Sequence, residues 1–383
     1  MEEKNTRRGT AAENAGDALS ESLIPIHSRA VTRPDAMEEP ARPSEPLVPP
    51  LVLAVYIACV AGAGALANCS VLAALFKSAR NGLSAIIIQL ALADFALIGT
   101  SISPELWAWN ARKWHFGSIG CSAYRGLNVF ASTASSYLIV TIALHTLAIF
   151  NLEEKLIKRR NKRSHPDDDE MRSSQHSLVA NSDSSTPPRT MHVDYRLAET
   201  KVPVTPPSAF VWVLSASLSI PEFTLATTIH EDHDYVLCTS VDTNHRVNMQ
   251  TMLAIFDLVL PIIIMSVAGA LVVNKLKSKK LYEIYNYESI AALKLSFWLI
   301  IVYSVFCVPR SIASVYHVYS VSKSVNEISP IDQIPKDYTT AVIRLAFSGI
   351  YLAATVIRPL LCIFMTPSLK KVFCVRDVNM DCV

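Results

Sequence analysis

The stretch MLAIFDLVLPIIIMSVAGALVV, residues 252–273, decides the fold of this chain. It carries one charged residue, Asp257, among side chains that are almost all apolar. A helix rises about 1.5 Å per residue, so roughly 20 apolar residues cross a hydrocarbon core about 30 Å thick. Polar groups in such a helix normally face a bundle interior, where other helices satisfy them. The stretch therefore predicts a membrane-spanning helix packed among others.

Six further stretches of this kind flank it, at residues 49–76, 83–103, 121–150, 208–228, 290–316 and 340–364. The composition agrees, because 51% of the 383 residues are hydrophobic and only 18% are charged. We therefore predict an all-α membrane protein built as a seven-transmembrane helix bundle. The formal net charge of +2 is too small to indicate a nucleic-acid partner. Membrane lipid is the partner that the composition implies.

Two polar regions stand apart from the predicted helices. Residues 1–47 and 151–207 contain few aromatic residues and cannot bury enough apolar surface to become ordered. The prediction is a disordered extracellular tail at 1–47, a seven-helix domain at 48–375 with a disordered cytoplasmic insertion at 151–207, and a cytoplasmic tail at 376–383. The Ser-rich insertion is either a regulated docking or phosphorylation region or a tolerated loop.

Lysine and arginine residues indicate the orientation in the membrane. They cluster after the first, third, fifth and seventh stretches, which all end on one side, at Lys77, Arg80, Lys155, Lys158, Lys275, Lys277, Lys370 and Lys371. Basic residues near helix ends are enriched on the cytoplasmic side. This predicts an extracellular N-terminus and an intracellular C-terminus.

Two of the eight cysteines fall in predicted extracellular positions. Cys121 begins the third stretch, and Cys238 lies between the fourth and the fifth. In an oxidising compartment one disulfide between them is the natural outcome. The alternative is a free thiol at Cys238.

Motifs occur in a fixed order along the seven stretches. They are ANCSVL with Asn68, LALAD with Asp94, WHFG before Cys121, IALHTLAIF at 142–150, Trp212 and Pro221, Pro261, FCVPR with Pro309, and RPLLC with Pro359. In this order they resemble the rhodopsin-type (class A) G-protein-coupled receptors, over residues 51–375. PSLKKVFC is similar to the short amphipathic helix of that family, and its Cys374 is a candidate for palmitoylation.

The resemblance implies a plasma-membrane receptor that transmits the binding of an extracellular ligand to heterotrimeric G proteins. Three prolines, Pro261, Pro309 and Pro359, are the hinges that it implies for opening a cytoplasmic cleft, since each removes a backbone hydrogen bond. The alternative is that they shape a static bundle.

Several positions depart from the family pattern. His145, Thr146 and Leu147 stand where the family has an acid, an arginine and an aromatic residue, and Cys307 stands in place of a tryptophan. Because the family's arginine contacts the G protein, its loss here favours altered or absent coupling to G proteins. Two functions therefore remain open, a coupling receptor and an atypical seven-helix binding or scaffold protein that does not couple.

Arg358 replaces an asparagine that in the family lies near the aspartate of the second helix, around a sodium ion. Asp94 and Ser135 are retained. Because unpaired charges are costly at bilayer depth, we predict a salt bridge between Asp94 and Arg358, with the guanidinium as a tethered substitute for sodium. The alternative is that Arg358 reaches toward the cytoplasmic interface.

Residues near the predicted outer ends are candidates for ligand binding. Asn128 replaces the aspartate typical of amine receptors, which disfavours a simple amine. The candidate set is Glu105, Arg125, Asn128, Glu222, Asp257, Arg310, His317 and Arg344. Charges of both signs favour a peptide, such as a neuropeptide, over a lipid. With no phosphate-binding loop and no H-E-x-x-H pattern, we predict no enzyme, catalytic residue, cofactor or metal site.

Overall fold

The computed structural model describes residues 46–77, 81–111, 113–163, 201–231, 235–240, 243–278, 285–324 and 333–374. Most of the predicted N-terminal tail, residues 164–200 of the predicted insertion, and the predicted C-terminal tail lie outside these ranges.

Within the described ranges, seven helical segments are long and apolar enough to span a bilayer, and the chain is an all-α, multi-pass membrane protein as predicted. We number them spans 1 to 7: Pro50–Phe76, Gly82–Ala111, Gly117–Arg159, Thr205–Leu225, Val247–Leu276, Tyr287–Tyr319 and Thr339–Met365. The α-helices are α1 Pro50–Lys77, α2 Gly82–Ala96, α3 Ser103–Ala111, α4 Gly117–Arg163, α5 Thr205–Leu225, α6 Thr243–Leu253, α7 Leu260–Leu276, α8 Tyr287–Val302, α9 Val308–Ser324, α10 Gln333–Met365 and α11 Pro367–Cys374.

Three π-helical segments interrupt spans 2, 5 and 6. Each ends two residues before a proline: Leu97–Ile102 before Pro104, Ala254–Val259 before Pro261, and Tyr303–Cys307 before Pro309. A proline has no N–H and its ring crowds the carbonyl of the preceding turn, so that turn widens. The predicted proline positions in spans 5 and 6 thus coincide with real irregularities of the helix.

Span 3 forms the centre of the bundle. Ala131, Ala134, Leu138 and Ile142 on it are completely buried. Span 1, in contrast, exposes large apolar side chains such as Leu51 and Leu66, which suits a helix that faces lipid.

Two of the predicted core residues tie neighbouring spans together. Pro359 leaves the Thr355 carbonyl, four residues earlier, without its backbone donor. The Asn68 side chain donates to that carbonyl across 3.1 Å and links span 1 to span 7. The Trp212 indole N–H donates to Gln89 across 2.8 Å and links span 4 to span 2.

Close packing between spans 3 and 4 gives a test of the fold. A methyl group at Gly126 would overlap the ring of Phe223, whereas one at Gly62 would meet nothing within 4 Å. We expect Gly126→Ala to destabilise the protein by about 1–3 kcal/mol, the usual result of overpacking. Thermal unfolding in detergent measures the effect, with Gly62→Ala as the control that keeps the melting temperature. Equal melting temperatures for the two variants would contradict the packing.

Helix α4, which contains span 3, is longer than the predicted third stretch. It continues to Arg163, so the disorder predicted from residue 151 is wrong for residues 151–163, which are helical. The sequence NLEEKLIKRR that follows Phe150 contains good helix formers, and Glu154 pairs with Lys158 one turn later at 2.7 Å. The continuation therefore projects beyond the apolar part of span 3.

A β-hairpin follows span 4, where helix was expected to residue 228. Strands β1 Ala226–Glu231 and β2 Tyr235–Ser240 pair antiparallel, with Thr228 opposite Cys238. The predicted disulfide between Cys121 and Cys238 is present and fastens the hairpin to the start of span 3. The Trp114 amide donates to the Val236 carbonyl at 2.8 Å and adds a second attachment.

The short helix α11 follows span 7, as the predicted amphipathic helix. Its Leu369 is fully buried while Val372 is exposed. The side chain of Cys374, the candidate for lipidation, is outside the described residues.

Candidate functional site

A cavity of about 110 Å³ opens between spans 2 to 7 at the end of the bundle that carries the disulfide. Seven of the eight predicted ligand-binding residues line it, namely Glu105, Arg125, Asn128, Glu222, Asp257, Arg310 and Arg344. Its other lining residues include Tyr124, Ser132, Gln250, Ser311 and Ser314. The sequence thus located the charged residues of one site, although the role of these residues in ligand binding stays a prediction.

One wall of the cavity holds an ion pair between spans 3 and 4. Arg125 donates to both carboxylate oxygens of Glu222, at 2.5 and 2.9 Å. The Glu222 side chain is only 4% exposed, whereas that of Arg125 is 23% exposed. A two-point contact of this kind fixes the guanidinium plane and satisfies the buried carboxylate.

A second ion pair joins spans 6 and 2. Arg310 pairs with Glu105 and also donates to Asn128 at 3.3 Å. The other oxygen of Glu105 accepts from Ser348 at 3.2 Å. This network connects four spans beneath the cavity, so a ligand that displaces Arg310 changes contacts in all of them.

Two charged residues of the cavity stand outside these two ion pairs. Within the described part of the chain, neither Asp257 nor Arg344 forms an ion pair. Asp257 accepts a 3.5 Å hydrogen bond from Ser132 on one oxygen, and its other oxygen is buried without a described partner. Arg344 lies 3.7 Å from the ring centroid of Trp109.

His317 is the predicted ligand-binding residue that does not line this cavity. Its ring meets Trp109 edge-on, with centroids 5.6 Å apart. It therefore supports the aromatic ring on which Arg344 lies. Sequence reasoning missed Tyr124 and Gln250, because neutral residues near a helix end give no signal of facing a cavity.

The predicted ion pair between Asp94 and Arg358 lies at the centre of the bundle. Both side chains are 1% exposed, so Arg358 does not reach the interface. Ser135 donates to Asp94 at 3.1 Å and also contacts Arg358. The second guanidinium nitrogen of Arg358 lies 3.3 Å from the sulfur of Cys307. The guanidinium of Arg358 is thus a fixed cation that pairs with the Asp94 carboxylate.

Tyr351 connects this centre to the cavity. Its ring centroid lies 4.7 Å from the guanidinium carbon of Arg310 and 5.8 Å from that of Arg358. The tyrosine is 4% exposed. One aromatic ring therefore contacts an arginine of each ion pair.

At the opposite end of the bundle, span 3 is bonded to spans 5 and 6 by acidic residues. Glu154 pairs with Lys275 at 2.6 Å, and Glu153 accepts from Ser289 at 2.5 Å. The Phe150 and Tyr285 rings stack with centroids 4.2 Å apart. The sequence offered no means of choosing these partners, since several lysines and serines lie near this end.

The altered triplet lies about two turns earlier and is buried. Thr146 donates to Ala143 at 3.0 Å, so this hydrogen bond stays within span 3. His145 packs against Gly82, where a methyl group would lie 3.0 Å from the imidazole Nε2. Among the described residues, Glu153 and Glu154, and not the triplet, make the cross-helix polar contacts at this end.

No group of three or more metal-ligating side chains occurs among the described residues. Comparison with known protein families finds no family model that matches the sequence. Comparison with curated proteins also finds no match. The function is therefore inferred from the geometry of the chain itself.

Proposed function

We propose that the protein is a rhodopsin-like G-protein-coupled receptor of the plasma membrane, with the N-terminus outside and the C-terminus inside. In this proposal it transmits the binding of a peptide, such as a neuropeptide, to heterotrimeric G proteins. The observation that carries it is the continuous path of contacts from the charged cavity through Tyr351 to the buried Arg358. A ligand that moves Arg310 would thereby alter the packing around Arg358.

The size of the cavity supports a peptide ligand. At about 110 Å³ it is well below the roughly 300–1,000 Å³ typical of sites that enclose a drug-sized molecule. One side chain or one terminus of a longer ligand fits such a space, while the remainder lies against the hairpin and the span ends. Charges of both signs on the cavity wall would orient that group.

The alternative, a binding or scaffold protein that does not couple, is favoured by two observations. Thr146 supplies no cation at the family's arginine position, and Arg358 holds spans 2, 3 and 7 together through a buried ion pair. A bundle restrained in this way needs a larger input to open than one without the pair.

Measuring G-protein activation in cells, at matched surface levels, decides between the two functions. The unaltered chain is compared with Thr146→Arg and Arg358→Asn variants, with and without peptide pools. Signalling by the unaltered chain supports the receptor. If the unaltered chain gives no signal and only the variants do, the non-coupling protein is supported. If neither the unaltered chain nor any variant signals with a peptide pool that binds the chain, coupling is contradicted.

The contact between Glu154 and Lys275 gives a second expectation. The pair is about one-third exposed, so it contributes roughly 0.2–1 kcal/mol to the closed arrangement. If this end opens toward a G protein, Lys275→Met should raise basal signalling up to about fivefold. The exposed Lys277→Met is the matched control and should leave it unchanged. Basal signalling that is unaffected by Lys275→Met would show that the contact does not restrain opening.

A further inference from the structure

The charges of the cavity divide into two classes. Arg125 and Glu222 neutralise each other, and so do Arg310 and Glu105. Breaking either pair leaves a buried charge without a partner, which is strongly unfavourable. These four residues therefore shape the cavity but have little attraction left for a charged ligand. Only the residues without a counter-ion can provide that attraction.

Asp257 is held in place as an acceptor. Pro261 has no N–H, so the carbonyl four residues before it, that of Asp257, loses its backbone donor. Tyr303 donates to the Asp257 carbonyl at 3.3 Å, and Tyr137 donates to the Phe256 carbonyl at 2.6 Å. With the backbone fixed in this way, the carboxylate lines the cavity and one of its oxygens is buried without a described donor.

A buried carboxylate oxygen without a donor is costly, and a cationic donor satisfies it best. Asp257 has a weak contact with Ser132, the Thr133 hydroxyl is close to it, and it has no ion pair among the described residues. An ammonium or guanidinium group of the ligand would supply the charge and a stronger donor than these hydroxyls.

Arg344 is held in place as a donor. Its guanidinium lies over the face of Trp109, and His317 packs against the same ring. Stacking uses the face of a guanidinium and leaves its N–H groups, which lie in the plane, free for a planar anion. A carboxylate matches this fork with two parallel hydrogen bonds. An anionic group of the ligand would therefore bind here.

We infer that the ligand is dipolar, with a cationic group on Asp257 and a carboxylate on Arg344. The inference rests on the proposed function, since it names the ligand class of the same cavity. Both residues line a space of about 110 Å³, so the two groups belong to one residue or to adjacent residues of the ligand. A peptide with a free C-terminal carboxylate and a basic side chain at its end meets this requirement, and so does a free basic amino acid.

The test is thermal unfolding of the full chain in detergent micelles with four probes. The first is a pool of N-acetylated tetrapeptides that end in arginine with a free carboxylate and vary in the other three positions, which are uncharged. The second pool has the same sequences with an amidated C-terminus, and the third ends in neutral citrulline instead of arginine. The fourth probe is free arginine. A ligand that binds only the folded state raises the melting temperature. We expect the first pool to act at concentrations at least about tenfold lower than the second and third.

Two variants assign the two charges. Arg344→Gln should remove the preference for the free carboxylate over the amide, and Asp257→Asn should remove the preference for arginine over citrulline. Arg159→Gln, an exposed position at the far end of span 3, is the control that keeps both preferences. The melting temperature without probe shows that each variant is folded. If free arginine is as effective as the first pool, the source is an amino acid and the dipolar class stands.

Equal shifts with charged and neutral probes, preferences that survive in the variants, or no shift with any probe would overturn the inference. The measurement needs no G protein, so it is separable from the proposed function. If the chain binds the dipolar pool but activates no G protein in cells, the ligand class is supported and the proposed coupling is contradicted. If the chain signals in response to an uncharged ligand, the proposed coupling is supported and the ligand class is contradicted.

Discussion

Replacing Arg358 by methionine should destabilise the protein more than any other single change considered above. The substitution leaves the completely buried Asp94 without its cation. Removing one partner of a buried ion pair typically costs about 3–5 kcal/mol, because the remaining charge is neither solvated nor paired. We expect a strongly lowered melting temperature in detergent and a reduced amount of the protein at the cell surface.

The double variant Asp94→Asn/Arg358→Met is the control for this prediction. It removes both charges together, and replacing a buried pair in this way is often close to neutral. Most of the lost stability should therefore return. A single variant as stable as the unaltered chain would show that the ion pair is not formed in the membrane.

Sodium provides an independent readout of the same pair. In the unaltered chain the guanidinium occupies Asp94, so exchanging sodium for an organic cation should not change the melting temperature. The Arg358→Asn variant frees the carboxylate and should gain a sodium-dependent increase. A sodium effect on the unaltered chain would contradict the tethered-cation arrangement.

Loss of the disulfide should have the second largest effect. Cys121 and Cys238 are 117 residues apart, and removing a native link of this kind typically costs about 2–5 kcal/mol. The hairpin follows directly on the span that carries Glu222, so its release should also weaken ligand binding at the cavity wall. The double variant Cys121→Ser/Cys238→Ser avoids a stray thiol and should melt well below the unaltered chain.

Reductant and a second cysteine pair control this experiment. The unaltered chain in reductant should reproduce the melting temperature of the double variant. Cys59→Ser/Cys69→Ser removes two exposed, unbonded thiols of span 1 and should have no effect. A double variant that melts with the unaltered chain would mean that the link adds nothing to the packing of the hairpin.

The seven spans could be predicted because lipid enforces a length and an apolar composition that are visible in sequence. The ends of the helices could not, because beyond the bilayer a polar sequence can continue a helix. The segment between Phe150 and Arg163 illustrates this, since its charged residues satisfy one another along the helix. The hairpin was missed for a related reason, as its strands are short and depend on a link to span 3.

The candidate site was predictable where charge and depth left few choices. The resemblance implied that positions 94 and 358 lie near each other within the membrane, and the cost of leaving either charge alone then favoured the pairing of Asp94 with Arg358. Near the helix ends three arginines and three acidic residues allowed several pairings. The rotation of each helix selects among them, and sequence does not give that rotation. The pairing of Arg310 with Glu105, and the lack of an ion pair at Asp257 among the described residues, needed coordinates.

The buried ion pair can form only at the end of synthesis, because its two residues lie in the second and the last span. Asp94 is made 264 residues before Arg358, and it enters the membrane with the second span. A nascent chain that contains the first six spans therefore still lacks the cation for its central carboxylate. Only the arrival of the last span supplies it. A chain that ends early retains an unneutralised acid in its interior, which is a chemical signal by which an unfinished protein differs from a finished one.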